Sequence, residues 1–78
     1  MTKDELRIFN LEIKIDANIN KTRKIVNMGY NYIDNVFALI DKDDLLEQLE
    51  EAEYILKDTL NLIEILAELY ENLNNKNS

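Results

Sequence analysis

The stretch LLEQLEEAEYILKDTLNLIEILAELYENL, residues 45–73, decides the fold of this chain. Apolar side chains recur in it at alternating spacings of four and three, which is the pattern of an amphipathic helix with a coiled-coil seam. No Gly or Pro interrupts the stretch, and Ala, Leu, Glu and Lys are strong helix formers. We therefore predict one long helix over about residues 43–74, followed by a frayed polar tail at 75–78.

The apolar arc of this helix is wider than a single partner helix covers. Between Leu60 and Tyr70 it takes up more than half of the circumference, which is typical of a helix contacted on several sides. A chain of 78 residues also gains only about 3–5 kcal/mol from its own core. Both observations predict a homo-oligomer, most simply a dimer. Its predicted interface side chains lie on this arc: Leu49, Leu56, Leu60, Ile63, Leu66, Ala67 and Tyr70.

The first half of the chain supports two interpretations. A helical stripe through residues 18–40 carries Gly29, which either allows close helix contact or interrupts the helix. From Phe9 to Asn20, however, apolar and polar residues alternate strictly, which is the pattern of a β-strand.

The main prediction is a single all-α domain over residues 1–78. It is an antiparallel helical hairpin that dimerises into a helix bundle, with a helix over about 3–40, a turn at 41–43 and the helix over about 43–74. Candidate breaks in the first helix lie near 16–20 or 29. The alternative is a β-strand at 8–15, paired with its copy in a dimer.

Acidic residues cluster where the second helix should begin. We expect Asp43 or Asp44 to accept hydrogen bonds from the first free backbone N–H groups, with Glu47 completing a capping box. A calcium loop of the EF-hand type would need Gly at its sixth position, where this chain has Leu46. The cluster is therefore predicted to cap the helix and not to bind a metal.

Composition excludes most enzyme classes. The chain has no His, no Cys and one Gly, which rules out imidazole bases, thiol nucleophiles, zinc fingers and phosphate-binding Gly-rich loops. We predict a protein that is not an enzyme, with no cofactor and no small-molecule substrate. No apolar run approaches the roughly 18 residues that span a bilayer, and residues 1–5 lack the build of a secretory signal. We expect no membrane partner and a soluble, cytoplasmic protein.

Charge divides the chain into unlike halves. Residues 1–40 carry six cations and five anions, and residues 41–78 carry three cations and eleven anions, for a formal net charge of −7. The densest basic cluster lies among Asn residues that suit phosphates or base edges. The candidate DNA-binding residues are Asn18, Asn20, Lys21, Arg23 and Lys24. The alternative is an acidic face on the second helix for a basic partner protein: Glu47, Glu50, Glu51, Glu64, Glu68 and Glu71.

Two segments resemble known DNA-associated families. Residues 18–27, NINKTRKIVN, resemble the Asn-apolar-Asn and basic segment of MobC-type plasmid mobilisation accessory proteins, in which a turn and a second amphipathic helix follow. Residues 11–37 are similar to a ribbon-helix-helix DNA-binding dimer, through the alternating segment, Asp16 and the run Met28-Gly29-Tyr30-Asn31. That resemblance implies that Asn10, Glu12 and Lys14 would read the major groove. Both imply a dimeric accessory protein associated with DNA.

The functional prediction is a non-enzymatic accessory or regulatory protein of a mobile element, which binds DNA or a DNA-processing complex as a homo-oligomer. One alternative is an acidic inhibitor that occupies the basic channel of a nucleic-acid enzyme, of the phage anti-defence type. The other is a purely structural coiled-coil assembly module.

Overall fold

The computed structural model of the protein describes residues 2–36 and 41–77. Helix α1 spans Lys3–Asn31, a π-helical turn spans Tyr32–Val36, and helix α2 spans Lys42–Asn77. The described ranges contain no β-strand, so the all-α prediction is confirmed and the alternative strand at 8–15 is wrong. The part of the predicted first helix at 37–40 lies outside the described residues.

Residues 8–15 are helical despite their alternating pattern. Ile8, Leu11 and Ile15 recur at helical spacing, and they are buried or half-buried while Ile13 is exposed. A lone strand would leave its backbone N–H and C=O groups unpaired, whereas a helix pairs them within itself. Backbone pairing therefore outweighs the preference of the β-branched Ile side chains for a strand.

Each helix begins with a side-chain cap. At α1 the Thr2 Oγ accepts from the Glu5 N–H at 3.1 Å, and the Thr2 N–H donates to the Glu5 carboxylate at 3.4 Å, which forms a capping box. At α2 the Asp41 carboxylate accepts from the Asp43 N–H at 3.0 Å. The predicted cap at Asp43 or Asp44 is therefore wrong, because α2 begins earlier than expected.

Helices α1 and α2 pack side by side as an antiparallel hairpin of 57 × 18 × 16 Å. Lys21 pairs with Glu51 and Glu12 accepts a hydrogen bond from Tyr70, so residue numbers rise along α1 as they fall along α2. The facing positions, here called the hairpin seam, recur at spacings of three and four as in a coiled coil. The buried residues on the seam are Ile8, Ile15, Ile25, Leu45, Ala52, Ile55, Thr59, Leu62 and Leu69.

The middle of the hairpin seam mixes apolar and polar side chains. Ile25 packs with Ala52 and Ile55 in one buried cluster. Nearby, the Thr59 hydroxyl donates to the backbone carbonyl of Ile55 at 2.7 Å, and the Thr22 hydroxyl is buried with no hydrogen-bond partner in the described part of the chain. No large side chain among the described residues is fully buried, so the core is a single layer between two helices.

Gly29 lies inside α1, which continues unbroken through residues 16–20 and through Gly29 to Asn31. A Cβ atom built on Gly29 would meet nothing within 4 Å. The glycine therefore neither ends the helix nor makes room for close contact with α2. It only adds conformational freedom to the unfolded chain.

We predict that Gly29→Ala raises the free energy of unfolding by about 0.5–1 kcal/mol, because Ala restricts the unfolded chain and fits the helix without a clash. Urea denaturation followed by circular dichroism measures the change as a shift of the midpoint at constant slope. The reverse substitution at an exposed site of the same helix, Ala17→Gly, should lower stability by a similar amount. A loss of stability in Gly29→Ala would show that Gly29 lies against a neighbour absent from the hairpin.

Candidate functional site

An apolar stripe runs along α2 on one flank of the hairpin seam and remains exposed to solvent. Its members recur at helical spacing, and Leu56 and Leu60 are 52% and 58% exposed. Isolated exposed leucines are ordinary on a protein surface, but a contiguous stripe marks an interaction site. The stripe comprises Leu46, Leu49, Leu56, Leu60, Ile63, Ala67 and Tyr70, and Glu53 interrupts it between Leu49 and Leu56.

Helix α1 adds two side chains to this stripe. The Glu12–Tyr70 hydrogen bond joins the two helices on this flank. Ile19 and Val26 follow Glu12 at intervals of seven residues, so they lie on the same flank of α1. Ile19 and Val26 are each 43% exposed. The apolar face, as we define it here, is the α2 stripe together with Ile19 and Val26.

The opposite flank of the seam is bridged by polar contacts within the chain, although Ile65 on this flank is 40% exposed. Lys21 Nζ lies 3.4 Å from the Glu51 carboxylate, and the Asn18 side-chain amide donates to the Asp58 carboxylate at 3.1 Å. The ion pair is exposed, and such pairs contribute only about 0–1 kcal/mol. The two flanks of the hairpin are therefore unlike: one is bridged by polar contacts and the other presents apolar side chains to water.

Six of the seven predicted interface side chains lie on the apolar face. The exception, Leu66, is half-buried in the hairpin seam. On α2 the seam uses Ile55, Leu62 and Leu69. Each of them lies one residue before a predicted interface side chain: Leu56, Ile63 and Tyr70. The wide apolar arc of the sequence thus divides between two faces of the helix.

The predicted DNA-binding residues lie together in the middle of α1, but three of the five already contact carboxylates. Lys21 pairs with Glu51, Asn18 donates to Asp58, and the Asn20 amide donates to the Asp16 carboxylate at 3.4 Å. Arg23 and Lys24 are exposed on α1. DNA binding through this cluster stays a prediction, and it would compete with contacts inside the chain.

All six residues of the predicted acidic face are exposed on α2. Only Glu51 reaches across to α1, through its ion pair with Lys21. The Glu53 carboxylate, which was not among the predicted acidic residues, lies 3.4 Å from the Nζ of Lys57 one helical turn later. The five other acidic residues point away from the seam: Glu47, Glu50, Glu64, Glu68 and Glu71.

The contribution of α1 to the apolar face was not predicted from the sequence. Ile19 and Val26 are seven residues apart, and Glu12 and Ile33 extend the same spacing in both directions. A repeat of seven residues indicates that these side chains share one flank of a helix. It can be recognised only if residues 8–19 are taken as helical. The strand-like alternation of this segment had concealed it.

The described residues show no enclosed site for a small ligand or metal. Over residues 2–36 and 41–77 the surface has no pocket. In the same ranges no group of three or more His, Cys, Asp or Glu side chains is arranged to hold a metal ion. Among the same residues, neither helix combines the length and the hydropathy of a membrane-spanning segment.

Tyr70 has a perturbed phenol on the rim of the apolar face. Its hydroxyl donates to the Glu12 carboxylate, and this hydrogen bond, followed by burial and by the negative charge of Glu12, raises the pKa of Tyr70 above its ordinary value of 10.0. The folded chain therefore holds this proton at a pH where the unfolded chain releases it.

We predict that the stability contributed by this contact is complete below about pH 10 and is lost as the pH rises through the raised pKa of Tyr70. In Glu12→Gln the pKa of Tyr70 should fall toward its ordinary value, because the charge and the charge-assisted hydrogen bond are both removed. Phenolate absorbance titration, with Tyr70→Phe subtracted to isolate this one ring, measures the change. Equal titration curves for the parent protein and Glu12→Gln would contradict the contact.

If the basic cluster binds DNA, we expect Glu51→Gln to strengthen retention on duplex DNA, because it frees Lys21 from its ion pair. Lys24→Gln should weaken retention and reduce the slope of log K against log salt by about one. Lys57→Gln is the matched control, since it removes a cation from α2 that pairs with Glu53. Failure to bind duplex at low salt, or an equal effect of Lys57→Gln, would exclude DNA binding by this cluster.

No family model, curated protein or solved structure matches this chain. The resemblance to MobC-type accessory proteins stays a prediction. The ribbon that a ribbon-helix-helix dimer would form from residues 8–15 is helical in this chain. Function is therefore inferred from the geometry of the apolar face.

Proposed function

We propose that this protein is a non-enzymatic accessory protein that acts by helix-to-helix contact with other polypeptides. The observation that supports the proposal is the apolar face, which keeps Leu56, Leu60 and Ile63 in water along one flank of the hairpin. Burial of apolar surface is the main source of affinity between proteins. A surface of this kind gains free energy whenever another helical surface covers it.

The apolar face favours this role over inhibition through the acidic face. Exposed carboxylates such as Glu50 and Glu64 are screened by salt, so they steer a basic partner more than they hold it. Apolar contacts are not screened in this way. The acidic face is better suited to keeping the protein soluble while the apolar face binds.

The same face favours a protein partner over DNA as the primary contact. Three of the five predicted DNA-binding side chains would have to exchange a carboxylate contact for a phosphate or base contact. The net charge of −7 also opposes the approach of DNA at long range. A role in a DNA-processing complex remains compatible with the proposal if the protein reaches that complex through a protein component.

Site-specific photo-crosslinking in the native cell tests the proposal. A photoreactive residue at Leu56 or Leu60 should give crosslinks to protein, either another copy or a different chain. The same residue at Lys57 or Asn61, which are exposed outside the apolar face, should give few. The two pairs are matched because each control lies one residue from its test position.

Two results would overturn the proposal. One is the absence of crosslinks from Leu56 and Leu60 when the protein is expressed at its normal level. The other is equal crosslinking from Lys57 and Asn61, which would indicate random collision rather than a defined binding face.

A further inference from the structure

We propose that the apolar face binds a second copy of this chain, so that two hairpins pack face to face as a four-helix bundle. This inference rests on the proposed function, since it names the partner that covers the same face. A two-fold arrangement is self-complementary, because each copy offers the other an identical apolar surface. Three features of the hairpin support this arrangement: the size of the face, the charges at its rim and the single-layer core.

The size of the face suits a stable dimer. From Leu46 to Tyr70 it extends about 36 Å along α2 at 1.5 Å per residue. Taken over the full 18 Å width of the hairpin, polar side chains included, this length gives a footprint of about 650 Å² on each copy and about 1,300 Å² in total. That total, of which the apolar face is a part, lies near the lower end of the range of about 1,200–2,000 Å² that stable protein–protein interfaces bury.

The charges at the rim of the face permit its burial. Two of the carboxylates beside it already have partners in the same chain: Glu12 accepts from Tyr70, and Glu53 pairs with Lys57. A second copy would therefore not leave them as unpaired buried charges, which are costly. Two chains that each carry a net charge of −7 repel through their outer acidic surfaces, so approach through the apolar face costs least.

The hairpin by itself has too little core for the length of its helices. No large side chain among the described residues is fully buried, although α1 has 29 residues and α2 has 36. Stacking two hairpins would give Val26, Leu56 and Ile63 the second layer of contacts that a bundle core has. A foreign helix would cover the apolar face of one chain. A second copy covers this face on two chains at once, because each hairpin supplies the missing layer of contacts to the other.

Sedimentation equilibrium on the purified full chain tests this proposal with two matched variants. Ile63 and Ile65 are 45% and 40% exposed on the same helix, but only Ile63 belongs to the apolar face. We expect the parent protein to be dimeric at micromolar concentrations. Ile63→Gln should weaken dimerisation at least about tenfold, because a symmetric interface loses the side chain twice, and Ile65→Gln should leave the dissociation constant within about twofold.

Thermal melting at several protein concentrations keeps the test valid if folding and dimerisation are coupled. The melting temperature of the parent protein and of Ile65→Gln should rise with concentration, as mass action requires. That of Ile63→Gln should be lower at every concentration, and circular dichroism at high concentration should show that it still forms helix.

A helical monomer at about 100 µM, with a melting temperature independent of concentration, would overturn this inference. So would equal effects of Ile63→Gln and Ile65→Gln. If the purified chain is monomeric while Leu60 crosslinks to a different protein in the cell, the proposed function stands and only the identity of the partner is wrong. If neither dimer nor position-specific crosslink is found, both proposals fall.

Discussion

The contact of Ile25 with Ala52 and Ile55 is the interaction on which the rest of the structure depends. It fixes which side of each helix faces the other, and every other side-chain position around the hairpin follows from that choice. The hydrogen bond from Asn18 to Asp58 on the polar flank agrees with the same register. Polar groups beside a seam contribute little net stability, but they penalise alternative registers in which a carboxylate would meet an Ile or Leu side chain.

Most of the fold is predictable from residues 45–73, because an uninterrupted helical repeat of this length has few alternatives. The division of the apolar arc is not predictable in the same way. Leu56 and Ile55 are both apolar and adjacent, and nothing in α2 alone indicates which of them α1 will cover. The answer depends on α1, whose segment at 8–19 satisfies both the strand and the helix pattern. The Thr2–Glu5 capping box was available as a helix-start signal and would have favoured the helix.

The candidate site shows the same limit. Leu60 and Tyr70 could be selected from the sequence because an apolar arc that is too wide for one partner must leave part of itself exposed. Ile19 and Val26 could not, since their membership follows from the register between two helices. Lys21 shows the reverse case: the sequence marks it as a free cation, and the fold pairs it with Glu51 from the other half of the chain. Local patterns thus identify what a side chain can do, and tertiary register decides what it does.

The slender cross-section of the hairpin has a consequence for how long the molecule would last in a cell. In a body 16–18 Å thick, a brief separation of α1 from α2 uncovers the backbone of both helices together and offers it to proteases. If a second hairpin shields the first, the rate of such openings falls as more protein is made. Abundance would then set turnover, and copies produced without enough neighbours would be removed first.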